Sequence, residues 1–160
     1  MRIEMEKLMQ RNRITLSIYA VLLICFANAA DAQIAIAVNK DNPVDDISMS
    51  ELKQIYLGKK TSFPDGKNIV LAEYADLKKT FYDILLDWSV TKMKKHWMGL
   101  IFSGTSSSAP KEFRQSGELK DFILRNEGAI AFMNLAEADK NVKLLTVNGK
   151  RPGSKDYPLQ

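Results

Sequence analysis

Short apolar runs that alternate with segments of helical periodicity constrain the fold of this 160-residue chain more than any other feature. Apolar runs of strand length occupy residues 33–38, 68–73, 129–133 and 142–147. Between these runs, apolar residues recur at the three- and four-residue spacing of helices. Strands separated by helices predict an α/β domain with a mostly parallel sheet that is flanked by helices.

The clearest helical signal begins at Ser48. Ser48 and Glu51 have the spacing of a capping box, in which the serine hydroxyl accepts a bond from the Glu51 N–H and the glutamate returns one. Apolar residues follow at positions i, i+3 and i+4, and Gly58 is suited to a left-handed helix end. The pattern therefore predicts a short helix between Ser48 and Gly58.

Three further helices are predicted from apolar spacing. The first follows Asp76, which has the residue type of an N-cap. The second spans about residues 91–100, with Met93, Trp97 and Ile101 on its inward side. The third spans residues 119–125, and Gly128 lies just past its end.

The N-terminal segment has the three parts of a secretory signal peptide. Residues 1–13 are basic, residues 14–30 carry no charge, and small residues of the Ala-x-Ala type follow. Cleavage is expected after Ala32, with Ala29 as the alternative site. A membrane anchor normally needs about 20 apolar residues, and this stretch is shorter. The prediction is therefore a signal peptide over residues 1–32 and an exported domain over residues 33–160.

Cysteine content fits that destination. Cys25 is preceded by Ile24, which is not the small residue that a lipoprotein signal requires, so Cys25 is expected to leave with the signal peptide. The exported domain then contains no cysteine, and it needs no disulfide. These features favour a bacterial periplasmic location.

Composition excludes several classes of protein. The chain is 46% hydrophobic and contains only 8 Gly and 5 Pro, which excludes collagen-like, disulfide-rich and disordered classes. The net charge of +4 is small and its lysines are spread out, so nucleic acid is not a predicted partner.

Catalytic residues are scarce. His96 is the only histidine, and the exported domain has no cysteine, so a cluster of His and Cys ligands for a metal cannot form. The chain has neither a phosphate loop nor a dinucleotide-binding glycine motif. Asp45 and Asp46 are adjacent and are expected to be solvated. The sequence predicts a protein that is not an enzyme and uses no cofactor.

A polar loop is the first candidate binding segment. Ser103, Gly104, Thr105 and Ser106 offer four backbone N–H groups and three hydroxyls without large side chains. Donors of this kind can surround an oxyanion. The alternative is an ordinary surface loop.

The second candidate segment contains Tyr74 and Asp76, where a predicted strand leads into a helix. In open α/β sheets, ligands bind at this edge. A carboxylate at the helix N-cap, however, repels a free phosphate.

Several segments, in order, resemble one family, the phosphate-type periplasmic substrate-binding proteins of ABC transporters. They are residues 34–39 with Pro43, residues 50–59 with their Ile-Tyr-Leu-Gly-Lys ending, His96-Trp97, residues 102–104, residues 127–132 and residues 157–159.

The resemblance implies a periplasmic-binding-protein-like α/β fold and an exported, ligand-binding role. Members of the full-length family have two lobes, whereas residues 33–160 correspond in size to a single lobe. A partner or a second copy, as in a homodimer, would then supply the second wall of a site. Relatives that hold phosphate carry Arg and Ser-Gly-Thr in the turn after the second strand, where residues 73–78 here contain no Gly, Ser or Arg.

Two hypotheses about function follow. In the first, the protein is a periplasmic solute-binding module for phosphate or another small oxyanion and serves an ABC transporter in the inner membrane. In the second, it has lost the phosphate-binding turn and binds another envelope protein without a role in transport.

Overall fold

The structure of the protein is a computed structural model that describes residues 33–106 and 108–160. The predicted signal peptide, with Cys25 and both cleavage sites, lies outside the described residues, as does Ser107. Within the described ranges, no helix combines the length and apolar character that crossing a bilayer requires.

The described strands form a five-stranded sheet, in the order β4-β3-β5-β1-β6, and a two-stranded sheet of β2 and β7. Their bounds are β1 (Ile34–Val38), β2 (Asp46–Ile47), β3 (Val70–Tyr74), β4 (Lys111–Phe113), β5 (Ala129–Asn134), β6 (Lys143–Leu144) and β7 (Thr146–Val147). β3 is parallel to β4 and β5, whereas β1 is antiparallel to β5 and β6. Four of the five strands therefore share one direction, which confirms the predicted α/β class and mostly parallel sheet.

β1 lies between β5 and β6 and is the most deeply buried strand of the larger sheet. Each of its residues is at most 1% exposed, and Ile36 lies opposite Phe132 in the register with β5. A strand that is covered on both faces has a continuous apolar sequence rather than an alternating one. Burial on both faces thus accounts for the unbroken apolar run that the sequence shows here.

The strand predicted over residues 142–147 is wrong as a single element. Leu145 separates β6 from β7, and its N–H donates to the Ile36 carbonyl at 2.9 Å. The next N–H, that of Thr146, donates to the Asp45 carbonyl at 3.0 Å, so the chain passes from the larger sheet to the smaller one. The apolar pattern continues across this transfer because both sheets cover the same core.

The helix predicted after Ser48 is confirmed as α1 (Met49–Tyr56). The Ser48 hydroxyl accepts a hydrogen bond from the Glu51 N–H at 3.0 Å, and Gly58 has the expected left-handed conformation, with a φ of 70°. The reciprocal half of the capping box is absent, because the Glu51 carboxylate pairs with the Lys60 ammonium.

The second helix is α2 (Lys78–Leu86), and the prediction that Asp76 caps it is wrong. Ala75–Leu77 forms a 3-10 turn between β3 and α2, so Leu77 takes the N-cap position without a side-chain hydrogen bond. Asp76 is exposed within the turn. The tighter turn displaces Asp76 from the position at which its carboxylate would meet the first N–H groups of α2.

The remaining helices are α3 (Val90–Phe102) and α4 (Ser116–Arg125), both longer than predicted. Met93 and Trp97 are buried as expected, but Ile101 is 39% exposed, so its predicted inward orientation is wrong. Leu100 packs against the core in the last turn of α3 instead.

An aromatic cluster joins α1 and α2 to the sheet. The rings of Phe81 and Phe132 stack with their centroids 4.0 Å apart, and Tyr56 meets Phe81 edge to face at 4.8 Å. Tyr82 completes the cluster, and all four side chains are fully buried. Aromatic contacts of this kind stabilise a core beyond the area that they bury.

We expect Phe132→Ala to lower the free energy of unfolding by about 3–5 kcal/mol, because it removes the ring on which Phe81 stacks and leaves a cavity. Urea unfolding followed by circular dichroism measures the change. The matched control is Phe102→Ala, whose side chain is 84% exposed, and which should stay within about 0.5 kcal/mol of the parent. Equal losses in the two variants would contradict the central role of the cluster.

The first described residue and the C-terminal residue lie together. The Gln33 side chain donates to the Gln160 side chain at 3.2 Å, and the Gln33 carbonyl accepts from the Leu135 N–H at 2.8 Å. The described domain therefore begins and ends on the same side.

Candidate functional site

The carboxyl ends of β3 and β4 hold an internal network of charges. Glu73 is 4% exposed, and the Lys78 ammonium lies 2.7 Å from one of its oxygens. The same ammonium lies 2.8 Å from Glu112, on the adjacent strand. The Tyr82 hydroxyl donates to the other Glu73 oxygen. One cation thus serves two carboxylates at this edge.

The pKa shifts of these groups agree with their positions. Burial raises the pKa of the Glu73 carboxyl, and the hydrogen bond and charge of Lys78 oppose that shift. The hydrogen bond from Lys78 and its charge hold the pKa of the more exposed Glu112 carboxyl below its ordinary value. A lysine engaged in this way is a poor ligand for a further anion.

We expect Lys78→Met to destabilise the fold by about 3 kcal/mol near pH 8, because it leaves a buried carboxylate without its cation. A raised folded-state pKa means that the folded protein binds a proton more tightly than the unfolded chain. Loss of Lys78 raises the pKa of Glu73 further, so part of the stability should return as the pH falls to about 5. Urea unfolding at both pH values provides the measurement.

Lys79→Met is the matched control for this experiment. Lys79 is the exposed neighbour of Lys78 and forms no ion pair with any carboxylate of the described residues. Its replacement should have little effect at either pH. A Lys78→Met variant whose loss of stability is the same at both pH values would contradict the compensation of Glu73.

The predicted site residues Tyr74 and Asp76 also lie at this edge. The Tyr74 hydroxyl donates to a Glu137 carboxylate oxygen at 3.3 Å, and burial, followed by the charge of Glu137, raises the pKa of the tyrosine. Asp76 is exposed and contributes a further negative charge. The structure therefore places the carboxylates of Glu137 and Asp76 near the Tyr74 hydroxyl.

A cleft of about 710 Å³ opens at the opposite, amino-terminal end of β3. The beginning of β3 forms one wall, and the segment between α3 and β4 forms another. The polar residues that line the cleft are Lys60, Thr61, Asn68, Thr105, Ser106, Ser108 and Lys111. Among the described residues that line it, none is acidic.

The two lysines of the cleft differ in their surroundings. Lys60 pairs with Glu51. Lys111 has no carboxylate partner within residues 33–106 and 108–160, and its ammonium lies 5.0 Å from the Phe122 ring and 5.2 Å from the Phe113 ring. The rings attract the ammonium through a cation–π interaction but do not neutralise its charge. Lys111 therefore makes the cleft electropositive.

Trp97 lies beside the cleft and has a buried hydrogen-bond donor. It lines the cleft and is 5% exposed, and its indole N–H has no acceptor within the described part of the chain. A buried donor without an acceptor costs about 1–3 kcal/mol. Trp97 was predicted to be a core residue, and its burial confirms that prediction.

The Ser103–Ser106 loop is divided by the structure. Thr105 and Ser106 line the cleft, whereas Ser103 and Gly104 do not. The four backbone N–H groups of the loop all donate to the carbonyls of Gly99, Leu100 and Ile101. The prediction that these N–H groups are free for a ligand is wrong, because they close the last turn of α3. The hydroxyls of the loop also bond locally: Ser103 donates to the Leu100 carbonyl, Thr105 shares a bond of 2.8 Å with Ser103, and Ser106 donates to the Ser108 carbonyl.

The structure does not bring the two predicted segments together. Thr105 and Ser106 lie beside the beginning of β3, whereas Tyr74 is its last residue and Asp76 lies in the turn that follows. Sequence reasoning missed Lys111 because an isolated lysine is ordinarily solvated. Its one local signal was its position directly after the polar loop.

Histidine and metal chemistry receive no support from the geometry. A ring nitrogen of His96 lies 3.0 Å from the Leu57 carbonyl, so the residue joins α3 to the end of α1. Within the described residues, no group of three or more His, Cys, Asp and Glu side chains is arranged to hold a metal ion.

Comparison with known proteins supports the fold. The sequence matches no family model. An ABC-type phosphate transport receptor from Vibrio cholerae is 19% identical over 79% of this chain and 52% of its own length, with a TM-score of 0.62. A candidate phosphate ABC transporter substrate-binding protein from Clostridium perfringens, solved with bound phosphate, is 23% identical over 75% and 46%, with a TM-score of 0.60. PstS from Borrelia burgdorferi is 13% identical over 75% and 49%, with a TM-score of 0.58.

These similarities confirm the predicted resemblance at the level of the fold. The described domain has the α/β architecture found in the phosphate substrate-binding proteins of ABC transporters. These structural neighbours are binding proteins rather than enzymes. The chain spans about half the length of the proteins that it matches.

Proposed function

We propose that this protein is an exported, non-catalytic binding protein that takes a small oxyanion, such as phosphate, for an ABC transport system. The fold supports a binding role, because the similar structures are phosphate receptors and one of them contains phosphate. The single observation that carries the proposal is the cleft at the amino end of β3, which is lined by lysine and hydroxyl side chains and, among the described residues, by no acidic one.

Each group of the cleft has a distinct role in this proposal. Lys111 supplies the positive charge, because no carboxylate in the described ranges pairs with it. Thr105 and Ser106 line the cleft, and their hydroxyls would turn from their bonds within the loop to donate to the ligand. Charge-assisted hydrogen bonds to an oxyanion are stronger than neutral ones. Among the predicted site residues, Thr105 and Ser106 therefore remain in the proposed site.

The proposed site differs in position from the turn that the family resemblance implies. That turn corresponds to residues 73–78, where Lys78 is already engaged by Glu73 and Glu112. A phosphate placed beside these carboxylates, Asp76 and Glu137 would be repelled. Among the described residues, no acidic side chain lines the cleft, which favours it over the carboxyl edge.

The domain is about half the length of the receptors that share its fold. In this proposal, a second wall from a partner protein or a second copy would complete the site. We place this assembly in the periplasm, to which the predicted signal peptide would direct the chain.

The internal network at the carboxyl edge favours a second candidate function. Glu73, Lys78 and Glu112 satisfy one another where a ligand turn is expected. A domain that keeps the fold but closes this edge is suited to binding an envelope protein rather than a transported solute. This function requires no response to phosphate.

Isothermal titration of the exported and processed protein with phosphate separates the two functions. We expect saturable binding in the micromolar range for the parent. Lys111→Met should weaken it at least about tenfold, because a hydrogen bond to a charged group contributes about 1.5–3 kcal/mol. The combined Thr105→Val and Ser106→Ala variant should also bind more weakly.

Lys155→Met is the matched control, since Lys155 is an exposed lysine outside the cleft lining. Its affinity for phosphate should equal that of the parent. Absence of heat up to millimolar phosphate would contradict the oxyanion proposal and favour the interaction module. Binding that Lys111→Met leaves unchanged would show that the anion occupies a different site.

A further inference from the structure

We propose that the C-terminal end of α3 docks on the surface of an anionic lipid membrane. Five large apolar residues are exposed within the described part of the chain, and three of them, Met98, Ile101 and Phe102, lie within this one segment. The Phe102 side chain is 84% exposed, so it projects into solvent. Exposed apolar groups that cluster on a monomer commonly mark an interaction site.

Helical geometry places lysines on the same face as this apolar end. At about 100° per residue, Lys94 and Lys95 precede Met98 by one turn and Phe102 by two turns. Each of these side chains is exposed, whereas Met93 and Trp97 face the core. The exposed stripe of α3 is therefore basic in its middle and apolar at its C-terminal end.

The charge of this region is complementary to anionic headgroups. No acidic residue occurs between Asp87 and Glu112, whereas this interval contains four lysines: Lys92, Lys94, Lys95 and Lys111. Lys94 also acts electrostatically on Glu112, but that carboxylate is already paired with Lys78. Basic groups near an anionic bilayer are attracted to its surface potential, and their long stems allow the ammonium groups to remain in water.

Backbone carbonyls at the end of α3 are hydrogen-bonded within the protein, as an apolar environment requires. The carbonyls of Gly99, Leu100 and Ile101 accept hydrogen bonds from the loop of residues 103–106. An unsatisfied carbonyl would oppose insertion below the headgroups, where water is scarce. The small, uncharged residues of that loop present no charge that would have to leave water.

A lipid surface fits this patch better than a protein partner does. A stable protein interface typically involves about 20–30 residues on each side, far more than three exposed apolar side chains provide. Shallow insertion of an aromatic and two aliphatic side chains beside lysines is instead sufficient for reversible membrane binding. The proposal does not depend on phosphate binding in the cleft.

Cosedimentation with lipid vesicles tests the proposal. The exported protein, with its N-terminus read by mass spectrometry, is mixed with phosphatidylcholine vesicles that contain or lack phosphatidylglycerol. We expect binding to the anionic vesicles at low salt, and at least about tenfold weaker binding to the neutral ones. Phe102→Ser should weaken binding at least about tenfold. The Lys94→Gln and Lys95→Gln pair should have a comparable effect, since each lysine contributes about fivefold.

Leu124→Ser is the matched control, because Leu124 is 41% exposed but lies on α4. It should bind vesicles like the parent, and circular dichroism should show that all variants are folded. Failure of the parent to bind anionic vesicles would overturn the proposal. Equal binding by the parent and Phe102→Ser would overturn it as well. A dimer that Phe102→Ser dissociates, without vesicle binding, would assign the patch to a second copy instead.

Discussion

The pairing of β1 on both of its edges is the constraint on which the rest of the structure depends. β1 runs antiparallel to β5 and β6, while the other strands of the larger sheet share one direction. Because β3, β4 and β5 are parallel, their carboxyl ends meet at one edge and their amino ends at the other. The charge network and the cleft therefore lie at opposite ends of β3. The aromatic cluster around Phe132 then holds α1 and α2 against this sheet.

Polar groups are satisfied differently at the carboxyl ends and at the amino ends of the parallel strands. At the carboxyl edge, Glu73 is buried and satisfied by Lys78 and Tyr82, so its cost of desolvation is offset within the domain. At the amino edge, the Trp97 N–H has no acceptor in the described ranges and Lys111 has no carboxylate there. The carboxyl ends of the strands therefore hold a paired internal network, whereas the amino ends hold groups without a partner among the described residues.

Local signals were enough to predict much of the fold. β1 followed from its apolar run, α1 from Ser48 and Gly58, and the α/β class from the order of strands and helices. The wrong predictions have a common cause. In each, the contact that decides the local structure is made with residues distant in sequence or within a specific turn. The division of residues 142–147 into two strands depends on partners in two different sheets. Asp76 does not cap α2 because it lies within a 3-10 turn.

The candidate site was predictable only in part, for the same reason. The hydroxyls of Thr105 and Ser106 were visible as a polar loop, but the closing bonds of α3 that occupy the loop N–H groups were not. Lys111 and Trp97 line the cleft because α3 and β4 pack beside β3. The spacing of apolar residues along the sequence does not predict this packing. The exposed position of Ile101 likewise depends on where the last turn of α3 leaves the core.

The contact between Gln33 and Gln160 bears on how such a domain can be combined with others. When both ends of a folded unit lie on one side, the unit can be inserted into a host chain at a single surface loop, because neither connection has to cross the core. The contact between Gln33 and Gln160 therefore makes the described domain geometrically compatible with insertion at one loop.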